Sequence, residues 1–193
     1  NIVNGATRLQ PVVLGIGQAA GVLAALSVQQ NVLPSDVSIR DVQNTLLDNK
    51  AYIMPFIDVP NTDPHFKILQ QIGATGILKG VGVPYKWANQ TWFYPEREIS
   101  EYELMQGLRL YYPALKSNWN ASGAALTVDA CINLLNDIDI EITVEKVQAI
   151  LTRKNINKYI NNNSILSRRE VSILLEDLLH VFQKDIDFNG DLR

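Results

Sequence analysis

The chain has 193 residues, 47% of them hydrophobic, which is enough for one large core or two small ones and excludes a disordered polymer. Its formal charge of −3 is spread over scattered acidic and basic residues, so there is no basic face and nucleic acid is excluded as a partner. The single cysteine, Cys131, can form neither an internal disulfide nor a cysteine-based metal site, and it leaves the compartment open.

In chain order, Asn1-Ile2-Val3-Asn4 show neither a basic leader nor a cleavage pattern, and the chain reads as a piece of a longer protein. Leu14-Gly15-Ile16-Gly17-Gln18-Ala19-Ala20-Gly21-Val22-Leu23-Ala24-Ala25-Leu26 predicts a helix. Its glycines allow a tight start and the close approach of another backbone or a ligand. Pro11 to Val28 nears the length of a membrane span, with Gly17, Gly21 and Ala25 at small-xxx-small spacing. Gln18, Ser27 and the glycines favour a buried helix of a water-soluble domain, so no membrane span is expected. The small residues should pack against the helices that follow.

Asn31 to Pro34 break that helix, and Ser38 with Asp41 starts a second. Ile39, Val42, Leu46 and Leu47 form its apolar face, with Arg40, Asp41, Asn44 and Asp48 opposite. Ala51 to Pro60 reads as an extended linker. Helical patterns follow at Phe66–Ile72, after Ser100 and Glu103, and over Thr127–Leu135, Val144–Leu151 and Ser167–Phe182. Ser167 with Glu170 is a further capping box. Val81 to Tyr94 reads as an aromatic loop, and Asn161-Asn162-Asn163 as a plain loop.

No catalytic residue can be assigned. His65 and His180 lack companion ligand spacing and read as surface or helix-end residues. Cys131 sits on an apolar helix side, as a small core residue would. Glu96 with Glu98, and Asp137 with Asp139, are adjacent rather than placed across a cleft and read as solvated. Trp87, Trp92 and Tyr94 have two readings: flat faces for sugar rings or a partner protein, or closure of a small core by Trp92 and Phe93. The inward reading is preferred because small modules need large side chains. Asp185, Asp187 and Asn189, with Gly190, match the first half of a calcium loop. The bidentate glutamate of that loop would fall beyond Arg193, so calcium is not expected to be held.

Two resemblances arise from these residues. The Leu14–Leu26 run, with Leu33-Pro34-Ser35-Asp36-Val37 and Val42-Gln43-Asn44-Thr45-Leu46-Leu47, resembles the end of a bacterial FAD-dependent oxidoreductase domain, in a family that includes proteins described as xanthan lyases. The resemblance implies that the helix start approaches the flavin, placing Gly15, Gly17, Gln18 and Ala19 at the cofactor in the full-length protein. The Gly-x-Gly-x-x-Gly strand–helix unit is missing from these residues, so they are not expected to hold FAD alone.

Phe56-Ile57-Asp58-Val59, Gly76-Ile77-Leu78-Lys79-Gly80, Thr91-Trp92-Phe93-Tyr94-Pro95 and Ile99-Ser100-Glu101-Tyr102-Glu103 are together similar to an S-layer homology repeat. In that family a basic residue of the last block often contacts an acidic cell-wall polymer, but here the position is Glu101. Leu166-Ser167-Arg168-Arg169-Glu170 echoes the block with its basic residue at Arg168 and suggests a second, degenerate repeat packed on the first.

The expected fold is mostly α: small helical bundles resembling S-layer homology repeats, preceded by the terminal helices of an α/β flavin-binding domain. The expected divisions are residues 1–50, 51–115 and 116–193. The leading function is a C-terminal, non-catalytic region of a bacterial FAD-dependent oxidoreductase, partnered by the rest of its own flavin domain. The alternative is a cell-surface or polysaccharide-binding module attached to a carbohydrate-active enzyme such as a xanthan lyase, which would place it at the cell surface or in the periplasm. Exposed apolar surface on the first helix makes a homodimer a further expectation.

Overall fold

The structure, a computed structural model, describes residues 9–86, 88–113, 115 and 123–193. They form two compact units, one of residues 9–53 with 185–193 and one of residues 54–184. The architecture is mostly helical, as the sequence patterns predict, with one small sheet.

The first unit holds α1 (Gln10–Gln30) and α2 (Ile39–Asp48). α1 ends at Asn31 in the left-handed conformation, φ 54°, a geometry asparagine tolerates better than most residues. Ala19, Val22, Leu23, Leu26 and Ser27 recur at intervals of three and four and form the covered stripe. Ser27 ties the turn by donating to the Val32 carbonyl at 2.6 Å. The rest of α1 faces outward. The packing expected of its small residues holds for Ala19 but not for its glycines, since among the described residues a Cβ built on Gly15, Gly17 or Gly21 meets no atom within 4 Å. α2 differs from its pattern at Arg40, which is buried and donates to Gln43 at 2.9 Å. A long guanidinium side chain can lie along apolar surface where a short polar one cannot.

The second unit holds α3 (Phe66–Thr75), β1 (Val81–Tyr85), β2 (Ala88–Trp92), α4 (Glu101–Leu108), α5 (Val128–Asn136), α6 (Val144–Arg153) and α7 (Arg168–Leu179). α7 packs on α3 and α6, and α5 bridges α4 and α6. The stretch read as an aromatic loop is an antiparallel hairpin, Val81 opposite Trp92 and Tyr85 opposite Ala88. It lacks the Asn-Gly turn signature that announces most hairpins, and Pro84 weakens its strand pattern.

The capping signals at Ser100 and Ser167 are present, Ser38 accepts from the Arg40 N–H instead of that of Asp41, and the structure adds caps at Thr127 and Thr143. Ser100, Thr127, Thr143 and Ser167 each accept from the backbone N–H three residues on, and Ser167 with Glu170 forms a complete capping box. Three of these starts meet at the centre. Ile99 N–H donates to the Leu166 carbonyl at 3.3 Å, Leu166 N–H to Leu126 at 3.0 Å, and Leu126 N–H to Ile99 at 2.8 Å. The ring closes on itself. Its three side chains have no exposed surface, and each residue immediately precedes a cap, so one backbone triangle aims α4, α5 and α7. Each N–H and C=O buried there has a partner, which burial requires.

Candidate functional site

The four sequence blocks, residues 56–59, 76–80, 91–95 and 99–103, are packed together. Asp58 accepts from the backbone N–H groups of Phe93 and Tyr94 at 2.8 and 2.6 Å, and Ile57 N–H donates to Thr91 at 3.0 Å. The grip holds Tyr94 at φ 55°, a strained value for a bulky residue. Phe56 lies against Phe93 with ring centroids 5.0 Å apart. Beneath Phe56, an added Cβ at Gly73 or Gly80 would come within 2.3 or 2.7 Å of its ring, so these glycines are the space the ring occupies. Gly107 is tighter still: its Cβ would sit 2.1 Å from the Ile77 carbonyl oxygen, so α4 lies directly on that backbone.

Arg168 occupies the middle of this assembly with no exposed surface. Its guanidinium donates to the carbonyls of Phe93 and Lys79, each at 2.7 Å, and to the Glu103 carboxylate, and lies 4.6 Å from the Phe93 ring centroid. Burial, with Arg97 nearby, lowers its pKa to about 10, partly offset by Asp58, so it stays charged at neutral pH. Glu103 is shared with Arg97 at 3.5 Å, and turning to the two arginines draws it from the capping role its sequence position suggests. In this conformation the Arg168 guanidinium has no surface to offer a glycan.

Next to it, Arg169 pairs bidentately with Asp63 at 2.8 and 2.9 Å and donates to Glu96 at 2.6 Å. It also donates to Nδ1 of His65 at 3.1 Å, while Nε2–H of His65 donates to the Lys154 carbonyl at 2.7 Å. These partners select the neutral Nε2–H tautomer, because arginine can only donate and a carbonyl can only accept. Burial opposes the Asp63 charge, yet the bonds from Arg169 and the His65 backbone outweigh it and hold the carboxyl below its ordinary range. His65 is a buried helix-end residue, and His180 caps the end of α7 in the left-handed region. Cys131 is buried, and its thiol is pushed up to about 12 by burial, which leaves it unreactive.

The other sequence candidates are dispersed. Trp87 lies outside the described residues. Phe93 is fully buried as the inward reading requires, whereas Trp92 is half-buried and stacks on Tyr94 at 5.5 Å, with Arg97 5.5 Å from the Tyr94 ring. In the tail, Asp187 Oδ1 accepts from the N–H groups of Asn189 and Asp191 at 2.8 and 3.0 Å. These bonds, that from Asp191 foremost, lower its pKa. Asp185 faces Arg193 at 3.7 Å. Among the described residues no group of three His, Cys, Asp or Glu side chains is placed to hold a metal.

The remaining candidates lie on α1. The helix begins at Gln10, so the N–H groups of Gly15, Gly17, Gln18 and Ala19 are spent inside the helical ladder and are not free donors at its start. Their outer face is open instead. Leu9, Val12, Val13, Leu14 and Ile16 are exposed beside it, between 40% and 73%. By length and composition α1 could also cross a membrane.

Residues 1–46 match the family model of FAD dependent oxidoreductases. No curated protein and no solved structure matches the chain. The matched stretch contains α1 and most of α2 and stops short of residues 54–184. The family implies FAD in its full-length members. The side-chain-free surface at Gly15, Gly17 and Gly21 suits the close approach of a flat ring or another backbone. It supplies no phosphate-binding N–H.

Sequence reasoning placed Asp58 in a motif without its role and read Glu103 as a capping residue without its arginine partners, and it missed Asp63 and the Arg169 network. Arg168 stands beside Arg169 and Glu170, which are charged as well, so the sequence carried no sign of its burial.

Proposed function

We propose that the chain is the C-terminal part of an FAD-dependent oxidoreductase, in which residues 1–46 close the flavin domain and residues 54–184 form a non-catalytic accessory unit that contacts substrate or partner. The observation that carries this is the outer face of α1, apolar, glycine-bearing and uncovered, inside the one stretch that matches the flavoenzyme family. Covering its five large exposed apolar side chains is worth on the order of 5 kcal/mol, a strong drive to dock on the remainder of such a domain. FAD would supply the redox chemistry; the residues here shape the wall it packs against.

The test compares Gly17→Leu in two settings. In this chain the substitution meets open space and should leave α1 intact by circular dichroism. In the full-length protein, wild type should purify with bound flavin, and Gly17→Leu should lose most of it. A colourless full-length protein, or a variant that keeps its flavin, overturns the proposal. Insertion of α1 into vesicles, or dimerisation through it, would assign the face to a membrane or a second copy instead.

A second reading, attachment to a surface polysaccharide by a module of S-layer homology type, is favoured by the joint packing of the four blocks and the Trp92–Tyr94 stack. It places the protein at the cell surface or in the periplasm.

A further inference from the structure

Residues 159–163 border an open cleft of about 700 Å³ against α6. The segment is pinned. Ile160 is buried and its N–H donates to Oε1 of Gln148 at 2.7 Å, while Nε2 of Gln148 donates to the Lys158 carbonyl at 2.9 Å. The Asn161–Ser164 turn closes on itself, with Asn161 N–H on Ser164 Oγ at 3.0 Å and Asn163 N–H on Asn161 Oδ1 at 2.9 Å. Asp129 N–H holds the Asn162 carbonyl at 3.0 Å.

On this fixed frame stand side chains that the fold does not use. Tyr159 is 82% exposed, so most of its ring meets solvent. Among the described residues, the side-chain amides of Asn162 and Asn163 have no hydrogen-bond partner. Glu145 lines the same cleft, and its bond with the Thr143 hydroxyl, then its own backbone N–H, keep its carboxyl below the ordinary range. No lysine or arginine is among the described lining residues, and the neighbouring Lys158 ammonium is taken by Glu170 at 3.1 Å and the Ile165 carbonyl at 2.9 Å.

We propose that this cleft binds an uncharged oligosaccharide, stacked on Tyr159 and hydrogen-bonded through Asn162, Asn163 and Glu145. Amides both donate and accept, and a carboxylate accepts twice, which suits hydroxyls that do both. An aromatic face suits the C–H side of a sugar ring. With a carboxylate and no lysine or arginine in its described lining, the cleft disfavours a uronic acid or phosphate, which separates this ligand from the anionic polymer of the polysaccharide reading. The cleft lies wholly within residues 54–184 and does not depend on the flavin proposal.

The experiment titrates the whole chain by calorimetry and saturation-transfer NMR with gluco-, xylo-, manno- and chito-oligosaccharides, using polygalacturonate as the charged probe. At least one neutral series should bind, with an affinity unaffected by salt. Tyr159→Ala should weaken it about tenfold or more, about 1.4 kcal/mol, while Tyr159→Phe retains it. Asn162→Ala with Asn163→Ala should weaken it as well, and Trp92→Ala should not. Silence across the neutral panel, binding that survives Tyr159→Ala, or binding only of the charged polymer overturns the proposal. Loss on Trp92→Ala alone moves glycan contact to the hairpin.

Discussion

Replacing Arg168 with alanine should unfold the second unit far more easily than loss of a surface ion pair would. The side chain has no exposed area, and its removal strips the Phe93 and Lys79 carbonyls of donors at 2.7 Å. The orphaned buried carbonyl of Phe93 costs about 1–3 kcal/mol, and the part-buried one of Lys79 costs less. Glu103 adds less, because it is part-exposed and keeps Arg97 at 3.5 Å. A cavity remains beneath Phe93. The total is about 3–5 kcal/mol, the range for breaking a buried pair by removing one partner. All three tryptophans, Trp87, Trp92 and Trp119, lie between residues 54 and 184, so urea unfolding followed by tryptophan fluorescence reports this unit without the first. The midpoint should fall sharply with an unchanged slope. Glu103→Gln, which keeps an acceptor in place, should lose under about 1.5 kcal/mol. If Arg168→Ala loses only about 1 kcal/mol or less, as exposed pairs do, the central role given to this residue is wrong.

Two more outcomes follow from the same packing. The Asp63 pKa in the folded chain lies below its ordinary value of 3.8, so its carboxylate stabilises the fold above that pH, and the contribution disappears as pH falls through the lower folded value. Asp63→Asn should therefore cost about 1–3 kcal/mol near neutrality and flatten the acid limb of a stability–pH curve; an unchanged limb would refute the assignment. Gly107→Ala, whose methyl would meet the Ile77 carbonyl at 2.1 Å, should lower the thermal midpoint by the equivalent of about 1–3 kcal/mol, whereas Gly82→Ala, which faces open space, should stay near wild type. Equal midpoints for the two variants would contradict the α4 packing.

The helix starts at Ser100 and Ser167 were legible because a cap is a short-range event, each side chain bonding to an N–H group three residues away. The hairpin was not, since its turn carries no glycine signature and its strands are five residues each. The glycines of α1 and those of the second unit look alike in sequence. Gly73, Gly80 and Gly107 lie against a ring or a backbone, while Gly15, Gly17 and Gly21 face nothing among the described residues. Only neighbours distant in sequence separate the two kinds.

The same holds for the candidate sites. Arg168 reads in sequence as the one basic residue suited to an acidic polymer, yet its partners Glu103, Phe93 and Lys79 lie 65, 75 and 89 residues away and draw it into the core. The Asn161–Asn163 run reads as a plain loop, and only the attachment of this segment to α6 brings it and Tyr159 beside Glu145. By itself the sequence determined the mostly helical class, the existence of most of the helices, the buried thiol and the likeness of residues 1–46 to FAD dependent oxidoreductases, because composition, period and caps act locally. Tertiary structure alone decided which polar groups are occupied and which remain available. That depends on which desolvated donors and acceptors meet, and such meetings are set by chain topology rather than by spacing.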